Sequence, residues 1–207
     1  MNWLKHNPST VKIFLDKKLF TVDQIYNRRN DRFLASSTSE VKRVFHTKHP
    51  AAIMVLGVVA SNGKNMPPYF FKMGEKIGAD VYYKILRYQI LPWLKVNYPD
   101  GNYVWTQDGA PCHTAKINQN FCESNMAAFW PANFWPPSSP DLNVLVFNVR
   151  GYLERLTNKT PHPNVDSLRA SIEKHWALMP PSSIVDACAS FGRRVAAMIE
   201  VQGGHIE

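Results

Sequence analysis

Cysteine is scarce in this chain and poorly placed for a structural role. Cys112, Cys122 and Cys188 are an odd number, and no two form a C-x-x-C pair. That spacing offers neither a disulfide framework nor a zinc knuckle, and it fits a reducing, intracellular compartment. Long hydrophobic runs are missing too. The opening MNWLKHNPST has no apolar signal core, and the longest apolar stretch, Ala51 to Ala60, falls well short of the roughly 20 residues that span a bilayer. Neither secretion nor a membrane partner is expected. Repeats and low-complexity segments are absent. Acidic residues are in the minority, with 16 Asp and Glu against 24 Lys and Arg, a formal charge of +8. Such an excess favours an anionic partner such as nucleic acid, although charge alone does not separate a binder from a merely basic protein. What the chain does have is length and apolar content: 207 residues, 45% hydrophobic and 12% aromatic, enough for one globular domain over 1–207 with a substantial core.

The local patterns read as an α/β chain. VKIFLDKKLF, Val11 to Phe20, has the composition of a strand carrying Asp16, and AIMVLGVVA, Ala52 to Ala60, that of a strand buried on both faces. Ser61-Asn62-Gly63-Lys64 is a hairpin turn signal leading to a third extended run over Tyr69 to Lys72, so the first three strands are expected to be antiparallel. Asp80 to Val96 has apolar residues at Val81, Ile85, Tyr88 and Leu91/Leu94, which is helical spacing that Pro92 should kink or end. A strand over Tyr103 to Gln107 then delivers Asp108, and Thr114 stands where it could open a helix to Glu123. WPANFWPPSSP, Trp130 to Pro140, has too many prolines for regular structure, and a short strand near Ala127 to Phe129 remains open. Helical patterns follow over Leu142 to Leu156, from an Asn164 cap to Leu178, and from a Ser182 or Ser183 cap to Ile199, the last with an apolar stripe of Val185, Cys188, Phe191 and Val195.

The chemistry concentrates on two acids that end or interrupt strands, Asp16 and Asp108. Around Asp108, Gly109 permits a tight backbone and Pro111 stiffens the exit, holding a carboxylate at a sheet edge. Three segments carry a resemblance: WTQDGAPCHTA (Trp105 to Ala115), WPPSSPDLN (Trp135 to Asn143) and FTVDQIYNRRNDRFLA (Phe20 to Ala35) resemble the catalytic-domain motifs of mariner and Tc1-like DNA transposases. The similarity continues through IMVLGVVASNGK and GYLE (Gly151 to Glu154) to the closing GGHIE. The family's N-terminal pair of helix-turn-helix units is expected to be absent, since the chain begins close to the first catalytic strand.

The resemblance implies an RNase H-like fold with a mixed central sheet flanked by helices. It also implies three carboxylates that hold two divalent ions, Mg²⁺ or Mn²⁺, for cutting and joining DNA. Several acids are needed because two nearby hard cations repel each other. The first two acids fall on Asp16 and Asp108 as catalytic and metal-binding residues. Alignment on SPDLN puts the third at position 146, with 37 residues between it and Asp108, and that position is Val146. Three further departures are Leu15-Asp16-Lys17 where the family has Ser-Asp-Glu, Val144 where it has Pro, and Arg150 where it has Trp. Weakened metal binding and impaired cleavage are the expectation. A non-cutting DNA-binding or subunit-pairing module, a relic of an element, and a still-active endonuclease are the alternatives.

Asp141 reads as an organiser of the loop and cap of the next helix, and Glu154, two helical turns beyond Val146, as too far along to serve as the third ligand. Arg28, Arg29, Arg32, Lys42 and Arg43, interleaved with Tyr26, Phe33 and Phe45, are the expected DNA contacts. Nothing in the spacing of His46, His49, Cys112 and His113 predicts a zinc site. Trp130, Phe134 and Trp135 read as loop packing in preference to base stacking. DNA is thus the expected partner, no small-molecule substrate is implied, dimerisation is left open, and the DNA role points to the nucleus.

Overall fold

The computed structural model describes residues 6–7, 9–25, 34–41, 47–134 and 140–201. Four strands form its sheet: β1 (Val11–Thr21), β2 (Ala52–Ala60), β3 (Tyr69–Phe70) and β4 (Tyr103–Trp105), in the order β3-β2-β1-β4. β1, β2 and β3 are antiparallel, as the turn after β2 leads one to expect for β2 and β3, while β4 joins β1 in parallel, making the sheet mixed. At the C-terminal end of β2, Gly63 takes φ +89 and its N–H reaches Ala60 O at 2.9 Å, closing the turn that the Asn-Gly pair announced. The run Ala127–Phe129 contributes a single parallel bridge, Trp105 to Phe129, in place of a full strand.

Helices cover both faces of the sheet, and the period of two along β1 assigns each side chain to a layer. Ile13 and Leu15 enter one core with Leu56, Val58 and Ala60 of β2. Phe14 and Phe20 enter the other with Ile53, Val55 and Val59. Against the Ile13 face lie α1 (Ala79–Ile85), a wide π turn (Leu86–Ile90), α2 (Leu91–Asn97), α3 (Pro111–Thr114) and α4 (Lys116–Asn125). Against the Phe14 face lie a second π turn (Leu145–Val149), α5 (Arg150–Thr157), α6 (Val165–Ala177) and α7 (Pro181–Glu200). Gly57 allows the closest approach between layers. A Cβ there would stand 2.6 Å from Trp176 Cη2, so the absence of a side chain lets the indole lie on the strand and donate to Met66 O at 2.8 Å.

Several local expectations change in this setting. Pro92 neither ends nor simply kinks its helix. It has no N–H for the Tyr88 carbonyl, and the chain widens by one residue just before it, with Leu91 N–H bonding Leu86 O. That extra residue turns Tyr88 out of the apolar stripe to 63% exposure, leaving Tyr82, Ile85, Leu86, Ile90, Leu91 and Leu94 as the buried face. Thr114 does not open α4. It closes the four-residue α3, and an extended Ala115 (ψ 134) separates the two helices. Neither Ser182 nor Ser183 is a cap, because Pro181 starts α7. The buried stripe of α7 is Ile184, Ala187, Cys188, Phe191 and Met198, with Val185 at its exposed margin. The Asn164 cap forms as read, its side chain accepting from Ser167 N–H at 2.8 Å.

Candidate active site

Asp16 lies on β1, and Asp108 follows its parallel neighbour β4. Along β1, Asp16 lies two residues beyond Phe14 and so shares its face, directly opposite Gly57 of β2. Asp108 stands three residues past the end of β4, where Thr106 still ties the chain to β1 through bonds from its N–H and Oγ1 to Ile13 O at 3.0 and 2.8 Å. The two carboxylates are near enough for each charge to act on the other. Burial and then the Asp108 charge push Asp16 up to about 6, and the Lys17 backbone N–H, Arg150 and His113 only partly offset them.

Asp108 has the opposite disposition. Burial alone would raise it, but the hydrogen bond and charge of His113, the Ala110 N–H and the charge of Lys17 together hold it below the ordinary carboxylate value. Its Oδ1 receives Ala110 N–H at 3.1 Å and His113 Nδ1 at 2.5 Å. His113 is fully buried against Tyr82, with ring centroids 4.4 Å apart. Burial would lower its pKa, yet the bonds to Asp108 and Cys112 raise it overall.

Three amide side chains hold the short helix that presents His113, and local sequence patterns did not point to them. Asn118 Nδ2 donates to Cys112 O at 2.7 Å, while Gln119 Nε2 and Gln107 Nε2 donate to His113 O at 2.8 and 3.1 Å. They satisfy the carbonyls that a four-residue helix leaves orphaned at its C-terminus. Tyr82 OH in turn donates to Gln107 Oε1 at 2.9 Å, tying the amide layer to α1.

The lysines beside Asp16 are committed to other groups. Lys17 Nζ bonds Cys112 Sγ at 2.8 Å, and Lys18 forms an ion pair with Glu154. Above Asp16, Leu145 and Val149 of the second π turn and Arg150 at the start of α5 wall a small recess with Lys18, Gly57 and Trp176. Val146 lies half-buried in that same turn, its N–H bonded to Asn143 O at 2.9 Å. Asn143 organises the same turn from within. The buried Asn143 accepts from Leu145 N–H at 3.1 Å and donates to Leu15 O at 2.9 Å, fastening the turn to β1 one residue before Asp16. Glu154 lies beyond the recess, with Arg150 4.0 Å away.

Among the described residues, no three His, Cys, Asp or Glu side chains are grouped to hold a metal ion. Arg28, Arg29, Arg32, Lys42 and Arg43 lie outside the described residues, as do His46, Trp135 and the closing GGHIE. Trp130 packs as read, stacked on Phe134 at 4.2 Å and on Phe191 at 6.0 Å. No helix of the described residues is long and apolar enough to cross a membrane.

A mixed sheet with helices on both faces, one acid on a central strand and a second just past the end of its parallel neighbour, has an RNase H-like architecture. Within that class the similarity is to mariner elements. The chain superposes on the Mos1 transposase paired-end complex with left transposon end at TM-score 0.84 and 15% identity, covering 100% of this chain and 60% of that one. It matches the Mos1 mariner paired end complex with Mn at TM-score 0.78 and 16% identity, covering 95% and 56%. It matches the catalytic domain of Mos1 mariner transposase at TM-score 0.73 and 14% identity, covering 100% and 89%. The chain therefore has the fold of a mariner transposase catalytic domain and spans about 60% of the length of the chain in the paired-end complex. No protein-family model matches it, and no curated protein sequence does.

Proposed function

We propose that this chain is a DNA-binding catalytic domain of mariner/Tc1 descent whose Asp16–Asp108 pair takes a divalent cation weakly, and whose strand-cleaving activity is impaired by the valine at position 146. One observation carries the reading: two mutually repelling carboxylates, one on β1 and one just past β4, come together in a fold like that of a transposase catalytic domain, with no third carboxylate grouped with them among the described residues.

The donor set is compatible with one hard cation. Asp16 is half-buried, destabilised as an anion and near a second acid, while the two lysines that follow it are bonded elsewhere. A cation between the acids would relieve that destabilisation. Asp108 Oδ1 is occupied by His113 and Ala110, which orients the carboxylate and leaves Oδ2 for a cation. A second ion finds less support, since valine has no lone pair and Glu154 is held by Lys18 and Arg150. Bound divalent ions in such a site activate the attacking oxygen and stabilise the leaving one. The chain's own contribution is to fix the two acids and to bring Arg150 beside Asp16, where its charge competes with a cation.

The deciding experiment is a plasmid-nicking assay with Mg²⁺ or Mn²⁺, run beside isothermal titration of the metal. The natural chain should nick at background level. Val146→Asp should tighten metal binding and yield nicking that Asp108→Ala abolishes. Robust Asp108-dependent nicking by the natural chain would overturn the impairment.

DNA contact through Arg28, Arg29, Arg32, Lys42 and Arg43 belongs to the same proposal. It predicts duplex affinity that falls as salt rises, with a slope shrinking by about 0.9 for each phosphate-contacting cation removed. Salt-independent binding would argue against it. Action in the nucleus follows from DNA as partner, and a fluorescent fusion excluded from the nucleus would refute it.

A further inference from the structure

A second surface with binding character lies on the other side of the sheet from the recess over Asp16. Between the first π turn and α4 runs an open groove of about 480 Å³, within the size range of ligand sites, lined by Tyr83, Arg87, Tyr88, Lys95, Phe121 and Asn125 among others. Its lining includes three aromatic rings and two cations, and no acid.

The groove is organised from within. Arg87 Nη1 donates to Tyr83 OH at 3.0 Å, and its guanidinium lies 5.7 Å from the Tyr88 ring centroid. Tyr83 is braced edge-on against Phe121, with centroids 5.1 Å apart and an interplanar angle of 75°. The guanidinium is thus steadied by two rings while staying open to solvent, and the Tyr88 ring is itself 63% exposed. The π turn forced by Pro92 creates this arrangement, because it leaves Arg87, Tyr88 and Gln89 exposed in succession where a regular helix would turn one of them inward.

An open aromatic face beside two cations suits an occupant with both a planar ring and negative charge. Duplex DNA offers phosphates but no free base face, and an acidic peptide offers charge without a ring to stack. We propose that this groove is a contact site for a single-stranded nucleic-acid segment, with an unpaired base stacked on Tyr88 and phosphates held by Arg87 and Lys95. It is separate from the Asp16–Asp108 site and does not depend on whether that site cuts.

The test uses the full chain and fluorescence anisotropy with three labelled probes. These are an oligothymidine of about 15 nucleotides, an abasic backbone of the same length, and a duplex. Tyr88→Ala, Arg87→Gln and Lys95→Gln alter exposed side chains, and thermal melts check that each variant remains folded. Tyr88→Ala should weaken oligothymidine binding by about 5- to 100-fold while leaving the abasic probe unchanged. Each charge variant should weaken both single-stranded probes and lower the salt slope by about 0.7. The proposal is overturned if Tyr88→Ala leaves oligothymidine affinity intact or weakens the abasic probe equally. It is also overturned if the three variants weaken duplex binding as much as single-strand binding, which would make the groove a duplex surface.

Discussion

Replacing Asp16 with asparagine should stabilise the protein at neutral pH and do little at pH 4. The folded chain holds this carboxyl at about 6 against an ordinary 3.8, through burial first and the neighbouring Asp108 charge second. Because the folded value lies above the unfolded one, the native state binds the proton more tightly. The natural chain therefore loses stability as pH rises from about 4 to about 6, and the full loss persists above that range. Two pH units correspond to about 3 kcal/mol, and partial solvent access to Asp16 brings the expectation to about 2–3 kcal/mol at pH 7.5. Asparagine does not titrate, so the gap between variant and natural chain should open across that window. Urea unfolding of both proteins at pH 4 and pH 7.5, in the presence of a chelator, measures it. Adding Mg²⁺ at pH 7.5 should close part of the gap by stabilising the natural chain alone. A stability difference that stays flat between the two pH values would refute the placement of Asp16 in a buried, charge-coupled pair.

Other perturbations test the surroundings of the site. Burial would raise the Cys112 thiol, but His113 and Lys17 bring it down to about 7, whereas burial pushes Cys122 and Cys188 up to about 12. Iodoacetamide at pH 7.5 should accordingly modify Cys112 first, and peptide mass mapping that finds equal rates at all three would contradict the Lys17–Cys112 contact. Gly57→Ala places a methyl against Trp176 and should cost about 1–3 kcal/mol in thermal or urea unfolding, with a neutral result showing that the indole moves aside freely. Asn158→Ala removes the donor to Thr21 O at 2.7 Å and Asp23 O at 2.9 Å, which pins the end of β1 to the end of α5. It should cost about 1–3 kcal/mol for the carbonyls left unpaired, and an unchanged melting temperature would show that water replaces the amide.

Much of the fold is legible along the chain because its signals are local. The strand composition of β1, the doubly apolar run of β2, the Asn-Gly turn and the Asn164 cap each depend on residues within one element, and each forms where the pattern put it. Asp16 and Asp108 were singled out by a motif that names them without reference to their surroundings, and the structure brings them near each other. Tyr88, Thr114 and Val185 were misread for a common reason: their roles depend on how the helix backbone accommodates its neighbours. One missing N–H at Pro92 widens a turn and reverses the exposure of Tyr88. The extended Ala115 breaks what periodicity reads as one helix.

By itself, then, the sequence determined the α/β layering and the antiparallel run of the first strands, through patterns that short-range geometry enforces, and a motif resemblance singled out two acids. Only the tertiary structure decided how those acids differ. Burial and a like charge destabilise ionised Asp16, while His113, held in place by Gln107, Asn118 and Gln119, stabilises ionised Asp108. Those terms depend on distances between residues far apart in the chain, and a periodic pattern does not encode them.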